Sequence, residues 1–461
     1  MVFSDLVFLF FFLPAVILVT KLSPRRCRNV ELLLFSLLFY AWGEPVYVFL
    51  MLAVIAVNYA AGLLVASFPR ETWPTGRKLT LTLAIAADLL ILGYFKYAGF
   101  FVESLNSLTS GRLTVPAVVL PIGISFYMFQ SMSYVIDVYR DQVEPQRNPL
   151  TFGTYVALFP QLIAGPIVRY RDLADQLRDR DETREEFAEG IVRFVYGLAK
   201  KVLIANQMGI LTDRMLLTES GTVSAWVGMF AYTLQIYFDF SGYSDMAIGL
   251  GRMLGFHFKE NFDYPYASRS ITEFWKRWHI SLSSWFREYV YIPLGGNRKG
   301  LPRQCLNLLI VWMLTGLWHG ASVNFVLWGL YYAVLLVLEK LFLRKQIARL
   351  KVGLQQALTL LAVAFGWGIF YYTDLGLWRA FVGRLFVFRT DPMDALRFAV
   401  AYLPTVLVAC AAAGRAPAKA LKRQRENGRY LPEILLLAVL FLLSVAALVS
   451  QSYNPFIYFR F

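Results

Sequence analysis

Residues 305–343 read CLNLLIVWMLTGLWHGASVNFVLWGLYYAVLLVLEKLFL. A helix needs about 20 mostly apolar residues to cross a bilayer, and this run contains enough for two, which we predict at residues 304–320 and 322–343. His319 lies at the end of the first and is one of three histidines in the chain. Because an ionisable side chain at membrane depth is energetically costly, His319 is a candidate functional residue.

The composition extends this interpretation to the whole chain. Of the 461 residues, 57% are hydrophobic and 16% charged, and the mean hydropathy is +0.51, which excludes an ordinary soluble domain. We predict an all-α integral membrane protein in which residues 1–461 form a single membrane domain. Further predicted helices lie near residues 3–20, 31–42, 46–67, 79–99, 117–138, 191–210, 223–255, 355–374, 395–413 and 430–451. One or two of the segments are expected to be re-entrant.

Lysine and arginine gather in short segments, which predicts the orientation of the helices because such segments stay in the cytoplasm. The clusters are Lys21, Arg25, Arg26 and Arg28; Arg70, Arg77 and Lys78; Arg344, Lys345, Arg349 and Lys351; and Arg415, Lys419, Lys422, Arg423, Arg425 and Arg429. This places both termini outside the cytoplasm, with residues 452–461 as an extracytoplasmic aromatic tail. The net charge of +14 then reflects topology and attraction to membrane lipid rather than binding of nucleic acid.

Two long polar connections, residues 140–189 and 257–303, contain apolar islands. In the first, residues 152–168 are apolar but are interrupted by Pro160 and Pro166. This segment is too short and too broken for a spanning helix, so we predict a re-entrant or interfacial hairpin.

The second connection contains FWKRWHISLSSWFREYVYIPLGG at residues 274–296, where apolar and basic side chains recur at helical spacing. One interpretation is an amphipathic helix in the membrane interface, with its aromatic rings at headgroup level. The other is a cationic mouth that binds a phosphorylated ligand, since phosphate recognition favours converging lysine and arginine side chains. The candidate residues for this ligand are Arg269, Lys276, Arg277, Arg287, Arg298 and Lys299. The sequence leaves both interpretations open.

Residues 235–255, QIYFDFSGYSDMAIGLGRMLG, place two carboxylates in a segment predicted to be a membrane helix. Asp239 and Asp245 should therefore face a bundle interior or an aqueous cavity. Together with Ser241 and Tyr243, they join helices, bind a buried arginine, or form the polar lining of a tunnel.

Several motifs occur together in the order that is typical of the membrane-bound O-acyltransferases. They are FPQLIAGPI at residues 159–167, YFDFSGYSDMAIGLGRMLGF at 237–256, NFDYPY at 261–266, the aromatic and basic stretch at 274–296, and LTGLWHGASVNFVLWG at 314–329. The chain resembles this family from its first residues to its closing PFIYFRF. The likeness is greatest to the bacterial branch that contains the membrane subunit of alginate O-acetyltransferase.

The resemblance implies a multi-helix bundle of about 11–12 transmembrane helices in the bacterial inner membrane, with re-entrant and interfacial helices around a central tunnel. It implies that His319 lies in this tunnel as the catalytic general base and that His279 is a second catalytic residue. The donor would be acetyl-CoA as a substrate, with no tightly bound cofactor and no metal. A neutral imidazole, with an ordinary pKa of about 6.5, is suited to remove the proton of an acceptor hydroxyl.

The implied reaction is O-acetylation of an extracytoplasmic, alginate-like polysaccharide. Since the donor is cytosolic, the acyl group must change carriers, and we expect Tyr458 in the aromatic tail to be an acyl relay. The resemblance also implies a periplasmic SGNH-hydrolase-like acetyltransferase as partner, within a polysaccharide synthesis and export complex. Two alternatives remain: D-alanyl or other acyl transfer from a carrier protein to a cell-envelope polymer, and a non-catalytic membrane transporter or scaffold.

Overall fold

The computed structural model describes residues 1–109, 111, 113–115, 118–450, 453 and 457. Within them the chain is helical, and extended backbone pairs only at one antiparallel bridge between Phe262 and Trp278. This confirms the predicted all-α class. Contacts divide the chain into two compact units, Met1–Phe194 with Met246–Lys259, and Val195–Asp245 with Glu260–Phe461.

The helices follow one another along the chain with short connections. In chain order they are α1 (Leu13–Leu22), α2 (Arg28–Ala41), α3 (Tyr47–Ser67), α4 (Pro74–Thr109), α5 (Ile124–Tyr139), α6 (Pro149–Ala157), α7 (Phe159–Leu162), α8 (Tyr170–Arg178), α9 (Arg184–Ala199), α10 (Asn206–Asp213), α11 (Thr222–Met253), α12 (Ile271–Arg277), α13 (Ile280–Phe286), α14 (Gly300–His319), α15 (Val323–Leu338), α16 (Arg344–Ala348), α17 (Val352–Tyr371), α18 (Leu375–Phe386), α19 (Met393–Ala401), α20 (Leu403–Ala412), α21 (Ala416–Glu426) and α22 (Leu431–Ser450). Segments of π-helix occur at Phe8–Phe12, Lys200–Ala205, Arg214–Thr218, Arg287–Tyr291 and Glu339–Leu343.

Among the described helices, five are long and apolar enough to cross a membrane. They are Tyr47–Ser67, Pro74–Thr109, Val323–Ala348, Val352–Tyr371 and Leu431–Ser450, and there is a sixth if α19 and α20, which meet at a 44° bend, form one span. This supports a multi-pass membrane protein. Other predicted spans are helices that are shorter, such as α5, or that contain buried charges, such as α11. Hydropathy along the sequence does not reveal where such helices begin and end.

The first unit is built around a cluster of phenylalanine rings. Phe3, Phe8, Phe12, Phe39 and Phe159 pack with ring centroids between 5.1 Å and 6.5 Å apart. The predicted hairpin at residues 152–168 forms the short helices α6 and α7, and its side chains are buried in this unit. Proline is found in the first turn of both helices, a position that needs no backbone N–H.

In the second unit, α14 and α15 pack closely through two glycines. A Cβ atom at Gly316 would overlap the carbonyl oxygen of Phe325, and one at Gly329 would overlap the carbonyl oxygen of Trp312. Small residues at such a crossing let two helix backbones approach each other. This contact fixes the end of α14, and therefore His319, against the side chains of α15.

The stretch at residues 274–296 does not form the single interfacial helix that its periodicity predicts. Instead α12 ends at Arg277 and α13 begins at Ile280. The break arises because the backbone here bonds to another segment: the N–H of Ile280 donates to the carbonyl of Asn261, and the N–H of Asp263 donates to the carbonyl of Arg277, both at 3.0 Å. The side chains of Phe274, Trp275 and Trp278 pack in the hydrophobic core of the second unit.

Candidate active site

His319 is the last residue of α14, where Gly320 ends the helix. Its side chain is buried, and the imidazole meets the rings of Trp328 and Phe370 nearly at right angles, with centroids 5.0 Å and 5.2 Å away. The C-terminal end of a helix carries partial negative charge, which stabilises a cation. The position therefore suits an imidazole that gains a proton during a reaction.

His279 lies between α12 and α13 in a left-handed conformation, with a φ of 47°. This conformation is uncommon for a residue with a side chain, and it directs the imidazole into the core. The ring contacts those of Phe240 and Trp318, with centroids 4.7 Å and 5.9 Å away. Because the Trp318 ring also lies 4.9 Å from that of His319, one indole borders both imidazoles.

Asn261, which the sequence analysis did not single out, fixes the orientation of the His279 ring. Its side-chain oxygen Oδ1 accepts hydrogen bonds from the backbone N–H and the hydroxyl of Ser281, at 3.1 Å and 2.9 Å. Nδ1 of His279 lies 3.2 Å from the same oxygen and therefore donates its proton to it. The lone pair of the neutral ring is then on Nε2. Burial lowers the pKa of His279 to about 3, so the ring is neutral at pH 7.

The two histidines line the same cavity, which has a volume of about 230 Å³. Most of its wall is apolar and consists of Trp275, Trp278, Leu282, Phe286, Leu308, Val311, Trp312 and Leu336. Its polar wall consists of Thr272, Lys276, Ser283, Arg287, Tyr291 and Thr315. Within such an apolar space electrostatic interactions are stronger than in water. The cavity can therefore hold a small reacting group next to two imidazoles.

A larger cavity of about 580 Å³ adjoins the first, and the two share Thr272, Lys276, Leu308 and Leu336. Its wall carries four cationic side chains, those of Arg269, Lys276, Lys340 and Arg344. The two acidic residues of this wall already bind other groups of the protein. Glu339 accepts the first N–H groups of α12 at 2.8 Å and 3.2 Å, and Glu273 pairs with Arg277 at 2.7 Å. The cavity is thus suited to an anionic ligand.

The structure separates the cations that the sequence analysis grouped together. Arg269 and Lys276 line the larger cavity, and Lys276 and Arg287 line the smaller one. Arg277 borders neither, because its guanidinium is held by two carboxylates at 3.2 Å and 2.7 Å. Residues 298–299 are exposed in the loop before α14 and also border neither cavity.

Lys340 and Arg344 line the larger cavity although the sequence analysis did not assign them to a site. They are four residues apart at the end of the helix Val323–Ala348, so they lie on one face of it. In the sequence, Lys340 is recognisable only as a lysine close to the end of an apolar run. It lines the cavity because α12 packs against α15, and the sequence does not reveal this packing.

The predicted tunnel residues of α11 are buried and border neither cavity. Asp239 lies 2.6 Å from the ammonium of Lys201, and Asp245 lies 2.6 Å from that of Lys200. Ser241 and Tyr243 are 2% exposed. The two ion pairs join α11 to the π-helical segment Lys200–Ala205, an arrangement that matches the helix-joining interpretation with lysine in place of arginine.

Tyr458 lies outside the described residues, but two nearby positions of the tail are described. The hydroxyl of Tyr453 donates to Asp213 at 2.7 Å, and the backbone N–H of Ile457 donates to Asp239 at 2.8 Å. The side chain of Ile457 is buried in the core of the second unit. These two positions of the tail therefore have defined contacts within that unit.

Comparison with known proteins agrees with the motifs. The family model of the membrane-bound O-acyltransferases matches residues 146–378. The chain is also 43% identical to the probable alginate O-acetylase AlgI of Pseudomonas putida over 494 aligned positions, which cover 100% of both chains. The chain belongs to the membrane-bound O-acyltransferase family.

Further relatives within this family are O-acyl-transferring proteins as well. The probable alginate O-acetylase AlgI of Azotobacter vinelandii is 41% identical over 100% of both chains. The peptidoglycan O-acetyltransferase of Helicobacter pylori is 33% identical over 74% of this chain and 71% of its own length. The predicted family and the predicted acyltransferase activity are thereby confirmed, and this membrane-bound O-acyltransferase is an enzyme.

Proposed function

We propose that this membrane-bound O-acyltransferase moves an acetyl group from cytosolic acetyl-CoA towards the hydroxyls of an extracytoplasmic, alginate-like polysaccharide. The observation that carries the proposal is the pair of histidines, His279 and His319, in one small apolar cavity next to a larger cationic one. The names of the relatives, which include two alginate O-acetylases and a peptidoglycan O-acetyltransferase, support acetyl as the acyl group.

The cationic cavity is the proposed entrance for acetyl-CoA. Coenzyme A carries phosphate groups, and converging lysine and arginine side chains bind phosphate well. Arg344 of this cavity belongs to the basic cluster at residues 344–351, which the distribution of positive charge places in the cytoplasm. The thioester would reach His319 through the lining residues that the two cavities share. This direction agrees with a donor that is made in the cytosol.

His319 is the proposed general base. It takes the proton of an acceptor hydroxyl while the hydroxyl oxygen attacks the thioester carbonyl carbon. The carbon–sulfur bond then breaks, the new ester forms, and the imidazolium returns the proton to the leaving sulfur. The end of α14 stabilises the positive charge that His319 carries between these steps. His279, with Nδ1 bonded to Asn261, presents a second neutral nitrogen to the same cavity.

Replacing both Lys340 and Arg344 by glutamine should weaken donor binding without removing the chemistry. We expect KM for acetyl-CoA to rise about 30-fold, since the two charge-assisted contacts to phosphate each contribute on the order of 1 kcal/mol at a partly exposed site, while kcat changes little. Lys345→Gln is the matched control, because Lys345 carries the same charge on the same helix but does not line the cavity. A KM that is equal in the double variant and the control would contradict the proposed entrance.

Tyr458 is the proposed acyl relay between the donor and the outer acceptor. A phenol with an ordinary pKa near 10 needs a base to become a nucleophile, and His319 would supply it. Tyr458→Phe retains the ring and removes the hydroxyl, so we expect it to abolish polymer acetylation while the protein still folds. Normal polymer acetylation by Tyr458→Phe would rule out the relay.

We propose that a periplasmic SGNH-hydrolase-like acetyltransferase receives the acyl group and delivers it to the sugar, within the complex that synthesises and exports the polymer. Both termini would then lie outside the cytoplasm in the bacterial inner membrane, as the basic clusters predict. This order of carriers keeps acetyl-CoA in the cytosol and the polymer outside.

Complementation is the test of the proposed function. The chain is expressed in an alginate-producing bacterium that lacks its own alginate O-acetylase, and the acetyl content of the exported alginate is measured by NMR. We expect acetylation to be restored by the wild-type chain and not by His319→Ala. Polymer without acetyl groups, from cells in which the wild-type chain is present in the membrane, would contradict an alginate-like acceptor.

A further inference from the structure

The ion pair between Lys201 and Asp239 has no part in the chemistry described above. The two residues are 3% and 1% exposed, and their charged atoms lie 2.6 Å apart. Removing two charges from water costs several kcal/mol, which their attraction repays only when further hydrogen bonds satisfy the pair. A further hydrogen bond to Asp239 is therefore expected to help stabilise the buried pair.

This further hydrogen bond comes from the C-terminal segment. While Oδ1 of Asp239 faces Lys201, Oδ2 accepts the backbone N–H of Ile457 at 2.8 Å. A hydrogen bond from a backbone N–H to a carboxylate is stronger than one between neutral groups. Because the donor is in the main chain, this hydrogen bond fixes the backbone at residue 457 and does not depend on which side chain is there.

Tyr453 provides a second contact for the same segment. Its hydroxyl donates to Asp213 at 2.7 Å, and its ring lies over Gly209, where a Cβ atom would be only 2.8 Å from the hydroxyl oxygen. Asp213 and Gly209 belong to α10, while Asp239 belongs to α11. Two carboxylates on neighbouring stretches of the second unit thus bind two positions of one segment.

Ile457 belongs to the hydrophobic cluster that borders His279. The buried side chain of Ile457 belongs to the same hydrophobic cluster as Phe240 and Trp278. The ring of Phe240 lies 4.7 Å from that of His279. The next residue along the chain is Tyr458, whose Cα is within about 3.8 Å of that of Ile457 by covalent geometry.

We propose that Lys201 and Asp239 form a docking site for the C-terminal segment of this chain, with Asp213 as a second anchor. The pair acts as a positioning element: it holds the main chain at residue 457 and so sets the reach of residue 458 towards the histidines. The docking itself is independent of catalysis. Only its purpose, the delivery of Tyr458, rests on the proposed function.

Two double variants separate the hydrogen bond to the tail from the ion pair. Lys201→Met/Asp239→Leu replaces the pair by apolar residues, which removes the acceptor for Ile457 without leaving a buried charge. Lys201→Met/Asp239→Asn also removes both charges but keeps an oxygen that can accept the N–H of Ile457. Lys200→Met/Asp245→Leu is the matched control, because it removes the other ion pair between the same two segments and leaves Asp239, the acceptor of the Ile457 N–H, in place.

The measurement is digestion of the full detergent-solubilised chain with carboxypeptidase, followed by intact-mass spectrometry, without acetyl-CoA. Wild type, the asparagine variant and the control should keep Ile457, whereas the leucine variant should lose it about tenfold faster, as expected when one hydrogen bond to a charged group is lost. Equal protection of Ile457 in the leucine variant and wild type would overturn the proposal. So would equal loss in the leucine variant and the control, since this would indicate general loosening.

A second readout links docking to acyl transfer. With acetyl-CoA present, acetylation of Tyr458 should fall about tenfold in the leucine variant and be retained in the asparagine variant. If wild type shows protection of Ile457 but no acetyl on Tyr458, the relay fails and the docking site stands. If Tyr458 is acetylated equally in the two double variants, the docking site does not position the acceptor and that part of the proposal fails.

Discussion

Replacing His319 by alanine is expected to lower the rate of acyl transfer by about 10²- to 10⁴-fold, the usual contribution of a general base. The reason is that the acceptor hydroxyl would then have to lose its proton without a positioned imidazole at the end of α14. The measurement is the rate of free thiol release from acetyl-CoA by the purified enzyme in the presence of acceptor.

His257→Ala is the control for this prediction. His257 has a half-exposed side chain that pairs with Glu186 in the first unit and does not line either cavity. Its loss should leave the rate within about twofold of wild type, as is usual for a substitution at the surface. A His319→Ala enzyme that is as active as His257→Ala would remove His319 from the mechanism.

Replacing Asn261 by aspartate should produce a pH-dependent defect through His279. In wild type, burial lowers the pKa of His279 to about 3, so this ring is neutral across pH 5–8. A carboxylate at position 261 would accept the same Nδ1 proton but would favour the imidazolium form, which raises the pKa of His279. The protonated fraction then grows as the pH falls, and Nε2 loses its lone pair.

We therefore expect the activity of Asn261→Asp relative to wild type to decrease from pH 8 to pH 5. At pH 5 the loss should be about tenfold or more, the effect expected when one functional group is in the wrong protonation state. Asn261→Ala distinguishes charge from geometry, since it removes the acceptor and adds no charge, and its defect should be the same at every pH. A pH-independent ratio for Asn261→Asp would contradict a role for neutral His279.

The sequence was sufficient to predict the family and the helical class, and it singled out the two histidines that line one cavity. His319 stood out because an ionisable group follows an apolar run, and His279 because it lies in a family motif. The helical periodicity of residues 274–296 was misleading, since it does not show that His279 adopts a left-handed conformation. His279 lies at the break between α12 and α13, where backbone hydrogen bonds bring Asn261, a residue 18 positions earlier, to the imidazole.

The larger, cationic cavity was predictable only in part. Of its wall, Arg269 and Lys276 were already candidates from the basic stretch near the histidine motif. Lys340 and Arg344 come from the far end of another helix, and only the packing of that helix adds them to the cavity. Asp239 and Ile457 are 218 positions apart in the sequence. Neither charge nor helical periodicity predicts a contact between residues so far apart along the chain.

We propose above that His319 activates a hydroxyl for attack on acetyl-CoA. The most direct measurement is intact-mass spectrometry of the purified enzyme after incubation with acetyl-CoA, for wild type and His319→Ala. We predict one acetyl adduct on the wild-type chain, mapped to Tyr458 by peptide sequencing, and none on the variant. An adduct of equal amount on His319→Ala would contradict the account.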